Sequence, residues 1–249
     1  MSMSIFAIAD LHLSFAPGSD KPMDIFGSRW KDHPERIKEN WCSNVTEQDT
    51  VVVAGDISWA LKLEDAVYDL DWIDALPGHK VVLKGNHDLW WAGITRLNAM
   101  YEDMTFLQND AFFVPTDTGG VWICGSRGWI TPDDDDFKEA DDKIYKREIL
   151  RLRSSLEFAE THAKDHAVTA GSESGSPEVI GFLHYPPVAK AGKFTGFMQA
   201  FEDYGVEEVY YGHIHGEDGF RNAVQGEFYG TRYHLISADY LNCSLLKIR

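Results

Sequence analysis

Five times along this chain an apolar stretch rich in β-branched or aromatic residues runs straight into a short motif built on Asp, Asn or His. Ser4-Ile-Phe-Ala-Ile-Ala9 leads to Asp10-Leu-His12, Val51-Val-Val-Ala54 to Gly55-Asp56, and Lys80-Val-Val-Leu-Lys84 to Gly85-Asn86-His87-Asp88. Val179-Ile180 leads to Gly181-Phe-Leu-His184, and Glu208-Val-Tyr-Tyr211 to Gly212-His213-Ile-His215. Short apolar runs bounded by Gly or Asp are the signature of buried strands. Polar residues able to bind a metal therefore sit at the C-terminal end of strand after strand, the edge of an α/β sheet at which ligands bind.

Helical patterns alternate with these strands. Pro34 to Asn44 and Leu63 to Leu76 place apolar residues at helical spacing, in the second case Leu63, Ala66, Val67, Leu70 and Ile73. A further helix is expected from Gly93 to about Met104. The resulting β-α-β-α-β series predicts parallel neighbouring strands joined by right-handed crossovers.

The stretch between the third and fourth motifs is much longer than that between the second and third, so residues 126–178 are an elaborated segment of a single domain spanning 1–249. It opens after a strand at Gly120–Gly125 and contains a charged helix from about Phe137 to Lys164. Ala140, Ile144, Leu152, Leu156 and Ala159 form the apolar stripe of that helix, which places it on a surface. Gly171 to Pro177 reads as a loop. Asp133 to Asp136 reads as the solvated start of the helix, since consecutive carboxylates cannot all face one ion and acidic residues suit a helix N-terminus. After the last motif, Phe228-Tyr-Gly, Arg232–Ile236 and Cys243–Ile248 read as antiparallel strands ending a second sheet.

Composition narrows the function. The formal charge of −17 opposes loose binding to nucleic acid or to an anionic membrane. No stretch approaches the ~20 apolar residues of a membrane span. The first apolar run has no basic segment before it and leads directly into Asp10 and His12, which is unlike a cleaved signal. Cys42, Cys124 and Cys243 have no C-x-x-C spacing and read as reduced thiols of a cytoplasmic protein.

The ordered motifs D-x-H, G-D, G-N-H-D, G-x-x-H and G-H-x-H resemble the calcineurin-like metallophosphoesterase superfamily, with Ala9 where the first motif often has glycine. The resemblance runs from position 10 to 215. It implies a four-layer fold of two mixed β-sheets sandwiched between helices, and a centre of two divalent metal ions. Asp10, His12, Asp56 and His215 would hold one ion, and Asp56, Asn86, His184 and His213 the other, with Asp56 bridging. Carboxylate, imidazole and carboxamide without thiolate suit manganese, iron or zinc more than copper, and manganese is the ion expected to support activity in vitro.

The activity so implied is hydrolysis of phosphomonoesters or small phosphodiesters, by in-line attack of a hydroxide held between the ions. The expected partner is a small phosphorylated substrate. His87, left free by its neighbour Asn86, is the expected proton donor to the leaving oxygen. Arg127 is a candidate clamp for a phosphate oxygen, and Tyr185, carried by a loop that Pro186 and Pro187 stiffen, a candidate substrate contact. Trp59, Trp90, Trp91 and Trp129 fall near motifs or Arg127 and could stack on an aromatic or nucleobase moiety, with packing under the inserted helix the commoner fate of tryptophan. Asp88 is expected to bond the turn backbone. The remaining histidines, His33, His79, His162, His166 and His234, lack such context. A nuclease of the same superfamily and a non-catalytic metal-holding module are the competing readings; the absence of a basic cluster weighs against the first and an intact His87 against the second.

Overall fold

The structure, a computed structural model, describes residues 3–19, 21–117, 119–167, 177–189 and 192–249. Its first half alternates strand and helix: β1 (Ile5–Ile8), α1 (His33–Asn44), β2 (Thr50–Ala54), α2 (Leu63–Asp74), β3 (His79–Leu83), α3 (Ile94–Asn98) and β4 (Met104–Phe106). There follow β5 (Ala111–Val114), β6 (Val121–Ser126), α4 (Glu139–Ala167), β7 (Glu178–Leu183), α5 (Gly196–Asp203) and β8 (Glu208–Tyr211). The chain ends through α6 (Gly216–Asn222), β9 (Gly226–Phe228), β10 (Thr231–Leu235) and β11 (Leu246–Lys247).

These strands form two mixed sheets, ordered β11-β1-β2-β3-β4 and β5-β6-β7-β8-β10-β9. Parallel pairing in register, Phe6 beside Val51 and Val51 beside Lys80, brings the ends of β1, β2 and β3 to one edge. Ile180 beside Glu208 does the same for β7 and β8.

Strand parity explains the layers. Phe6, Ile8, Val51 and Val53 pack against Ile37 and Trp41 of α1 and Ala66 and Leu70 of α2. Their alternates Ile5, Ala7, Val52 and Ala54 meet Ile123, Ile180 and Phe182 of the second sheet. On the far face of that sheet, Trp122, Val209 and Tyr211 pack against Leu152 of α4 and Phe197 and Phe201 of α5. The order is helix, sheet, sheet, helix. Strands covered on both faces need apolar residues at every position, which is why they read as continuous runs.

Four expectations are corrected. The terminal strands are not all antiparallel: β10 pairs with β9 antiparallel but runs parallel to β8, and β11 leaves for the first sheet, antiparallel beside β1. A short alternating run carries no information about strand direction, so periodicity could not decide this. The helix after the third motif stops at Asn98, whose side chain accepts from the Phe106 N–H at 2.6 Å and donates to the Phe106 carbonyl at 3.2 Å, turning the chain into β4. On α4 Ala140 is exposed and Ile144 only half-buried, while polar Glu148 and Ser155 belong to the inward face. Ser155 accepts from the Gly125 N–H at 2.9 Å and donates to the Asp110 carbonyl at 2.6 Å, so its burial is compensated. Asp133 to Asp136 precede the helix, which begins at Glu139; Asp134 instead accepts from the Thr131 N–H and hydroxyl. The expected loop at 171–177 lies, but for its last residue, outside the described residues. Among the described residues no helix is long and apolar enough to cross a membrane.

Candidate metal centre

All five motifs meet at the shared edge of the two sheets. Asp10, His12, Asp56 and His213 have φ of 62°, 46°, 52° and 71°. The left-handed region is costly for a residue with a β-carbon and persists where surrounding contacts impose it. Here those contacts are hydrogen bonds between strand ends. Asp10 N–H donates to the Gly55 carbonyl and His12 N–H to the Asp56 carbonyl, both at 2.9 Å, while His213 N–H donates to the Asp10 carboxylate at 3.0 and 3.1 Å. Close approach also accounts for two motif glycines. A β-carbon at Gly212 would stand 2.5 Å from Asp10 Oδ2, and one at Gly85 would overlap Asp56.

Asp88 fastens the second motif to the third. Its carboxylate accepts from the N–H groups of Gly85, Asp56, Ile57 and Ser58 and from the Trp90 indole, at 2.7 to 3.2 Å. Asp56 divides its two oxygens. Oδ1 accepts from the His87 N–H at 2.8 Å, and Oδ2 points into the centre, 3.3 Å from His184 Nε2 and 3.8 Å from His12 Nε2.

Two groups of side chains each bring their ligand atoms within 4.8 Å of one another: Asp10, His12 and His215, and Asp56, His184 and His213. Asn86 joins the second group, its Oδ1 2.8 Å from His184 Nε2. The donor chemistry is that of a cation site. His184 Nδ1 donates to the Ala54 carbonyl at 3.1 Å, which turns the Nε2 lone pair toward Asn86 Oδ1, Asp56 Oδ2 and His213 Nδ1. His215 Nδ1 donates to Asp239 at 2.9 Å, and its Nε2 then faces His12 Nε2 and Asp10 Oδ1, each at 3.4 Å. Acceptors converging in this way require positive charge between them.

Protons compete with a cation for the same positions, namely Nε2 of His184 and of His215. Burial acts to lower His184, but Asp56 and then Asp10 outweigh it and lift the group to about 9. Burial likewise opposes His215, and Asp10 and Asp239 raise it to about 10. Burial drops His12 to about 4, and burial followed by the charge of His184 drops His213 to about 3. Asp10 is held near about 2: burial, which would raise it, is overcome by His215 and His184.

His87 stands at the rim, its side chain 42% exposed and its Nε2 4.0 Å from Asp56 Oδ2. Trp59 packs on it at 4.3 Å between ring centroids and stacks on His12 at 4.9 Å. Tyr185, buried, lies against the His213 ring at 4.1 Å. The Arg127 guanidinium turns to Glu148 at 3.3 Å and to the face of Trp129 at 4.4 Å, while its carbonyl accepts from the N–H groups of His184 and Tyr185. Trp90 and Trp91 pack into the core under the first sheet. Asp239, 1% exposed, escaped the motif reading although the run Tyr233 to Ala238 leads into it as the other runs lead into their motifs.

The profile of the family described as calcineurin-like phosphoesterase matches residues 3–217. The chain belongs to this family. It is thus a metallophosphoesterase by descent, and both groups of candidate ligands fall within the matched span. The chain has no match among curated proteins. Solved structures share the fold, among them the following two. The phosphopantetheinyl hydrolase from Mycobacterium tuberculosis is 13% identical, with TM-score 0.53 over 99% of this chain and 96% of that one. A second, the protein TT1561 of Thermus thermophilus, is 11% identical, with TM-score 0.52 over 100% and 99%.

Proposed function

We propose that this phosphoesterase is a dinuclear-metal phosphohydrolase acting on phosphomonoesters or small phosphodiesters. The observation that carries the proposal is the position of Asp56 Oδ2 between the two groups, within 3.3 Å of His184 in one and 3.8 Å of His12 in the other. Asp10, His12, Asp56 and His215 would hold one ion and Asp56, Asn86, His184 and His213 the other, with manganese, iron or zinc matching the donors. Bound ions supply Lewis-acid activation of the phosphoryl group and of the attacking water.

The chain's own residues do the rest. Asp239 holds the His215 ring through Nδ1, and the Ala54 carbonyl holds that of His184, so both present Nε2 inward. The His87 ring, its Nε2 4.0 Å from Asp56 and its side chain partly open at the rim, would donate a proton to a departing alkoxide. Tyr185 flanks the opposite side as a substrate contact. Arg127, already shared between Glu148 and Trp129, acts through the backbone of His184 and Tyr185 that its carbonyl holds.

The relative named as a phosphopantetheinyl hydrolase is too distant in sequence to lend its substrate. The net charge of −17 disfavours a nucleic-acid substrate. The test is hydrolysis of an aryl phosphate by the purified protein. Activity should disappear on chelation and return with manganese, and metal-independent hydrolysis or none in the manganese-loaded protein would refute the proposal.

A further inference from the structure

We infer that the phosphohydrolase takes substrates whose leaving group is a compact, uncharged aromatic, seated in a cavity beside His87. The inference rests on the proposed reaction and names its substrate class. A cavity of about 350 Å³ opens on the His12 side of the centre, lined by Met23, Phe26, Trp30, Trp59, Gly216 and the imidazoles of His12, His87 and His215. A proton donor must touch the oxygen that departs, so the group bonded to that oxygen lies on the side of His87, and His87 is part of this cavity's wall.

The wall then selects the group. Among the described residues its lining includes no carboxylate, ammonium or guanidinium, Lys21 Nζ standing 6.0 Å from the Trp59 ring, so a charged leaving group would find only imidazoles to face. Rings recur in the wall: Trp30 packs edge-on against His12 and His215, and Trp59 stacks on His12 and tilts against His87. The volume, at the small end of ligand pockets, suits one or two fused rings. Phe26 is 65% exposed at this cavity, and its neighbour Ile25 72%. Large apolar side chains kept in water beside a concave site mark a place where something apolar docks. The cavity beside Tyr185 and His213, about 310 Å³, also has apolar walls, but its lining includes Asp134 and Asp136 and does not include His87.

The test compares 2-phenylethyl phosphate with ethyl phosphate, whose alkoxides are similarly basic, in the manganese-loaded protein. The phenylethyl ester should be preferred in kcat/KM by about tenfold or more, through KM, the scale on which an apolar pocket discriminates. Trp59→Leu and Phe26→Ala should each remove most of that preference; Phe26 is exposed, so its replacement does not threaten folding. Tryptophan emission, titrated with the non-hydrolysable 2-phenylethylphosphonate and ethylphosphonate, should show the same preference in binding and the same loss in the variants. Equal kcat/KM and equal affinity for the two ligands, or a preference that survives both variants, would overturn the inference and leave the phosphohydrolase reading standing. Hydrolysis of neither ester while the aryl phosphate is still turned over would overturn the inference alone, and hydrolysis of none of the three would overturn both.

Discussion

On the proposed mechanism a single imidazole separates this site from a metal-holding scaffold. His87 follows Asn86 directly, yet its backbone N–H goes to Asp56 and its ring to the rim, the position that the proposed proton transfer requires. His87→Ala should keep the metal content and lower turnover by ~10²–10⁴ for an alkyl ester, with a smaller loss for an aryl phosphate whose phenolate leaves without a proton. Equal losses on both substrates, or loss of metal by elemental analysis, would assign His87 another role. Asp239 is the counterpart case. Because it orients His215, Asp239→Asn should weaken metal binding by ~10–100-fold in a calorimetric titration, and unchanged affinity would remove it from the site. The seven candidate ligands were legible in sequence because each follows a strand-like run, and the structure brings them together. Asp239 was less so, since its partner is 24 positions away and no short motif joins them.

At the level of elements, the strands that lead into motifs, β6, β10 and the first two helices were legible because they bury continuous or periodic apolar residues. The short strands β4 and β5, which lead into no motif, were not read, and other features that escaped are fixed by polar contacts across the fold. The inward face of α4 carries Glu148 and Ser155, which an apolar pattern passes over, and α3 ends where the Asn98 side chain captures Phe106. The direction of β10 and the move of β11 to the first sheet likewise depend on what lies beside them. The docking of α4 rests on fully buried Leu152, Leu156 and Ala159 against the second sheet. Leu152→Ala should therefore cost ~2–5 kcal/mol in urea unfolding, and a loss well under 1 kcal/mol would mean that α4 is not held as described.

The whole molecule converts sheet geometry into a charged centre. Parallel strands deliver acidic and imidazole groups to one edge, motif glycines let the two sheets' strand ends approach, and backbone strain at Asp10, His12, Asp56 and His213 is held by the hydrogen bonds among them. With Asp56 shared, as proposed, these groups make one site rather than two that happen to be near. The direct measurement is the metal content per chain of the manganese-loaded wild type, Asp10→Asn and Asp56→Asn, read by elemental analysis with circular dichroism to confirm folding. The shared site predicts about two ions in the wild type, about one after Asp10→Asn, and far fewer than one after Asp56→Asn. One fully occupied ion, or two, in a folded Asp56→Asn protein would contradict it.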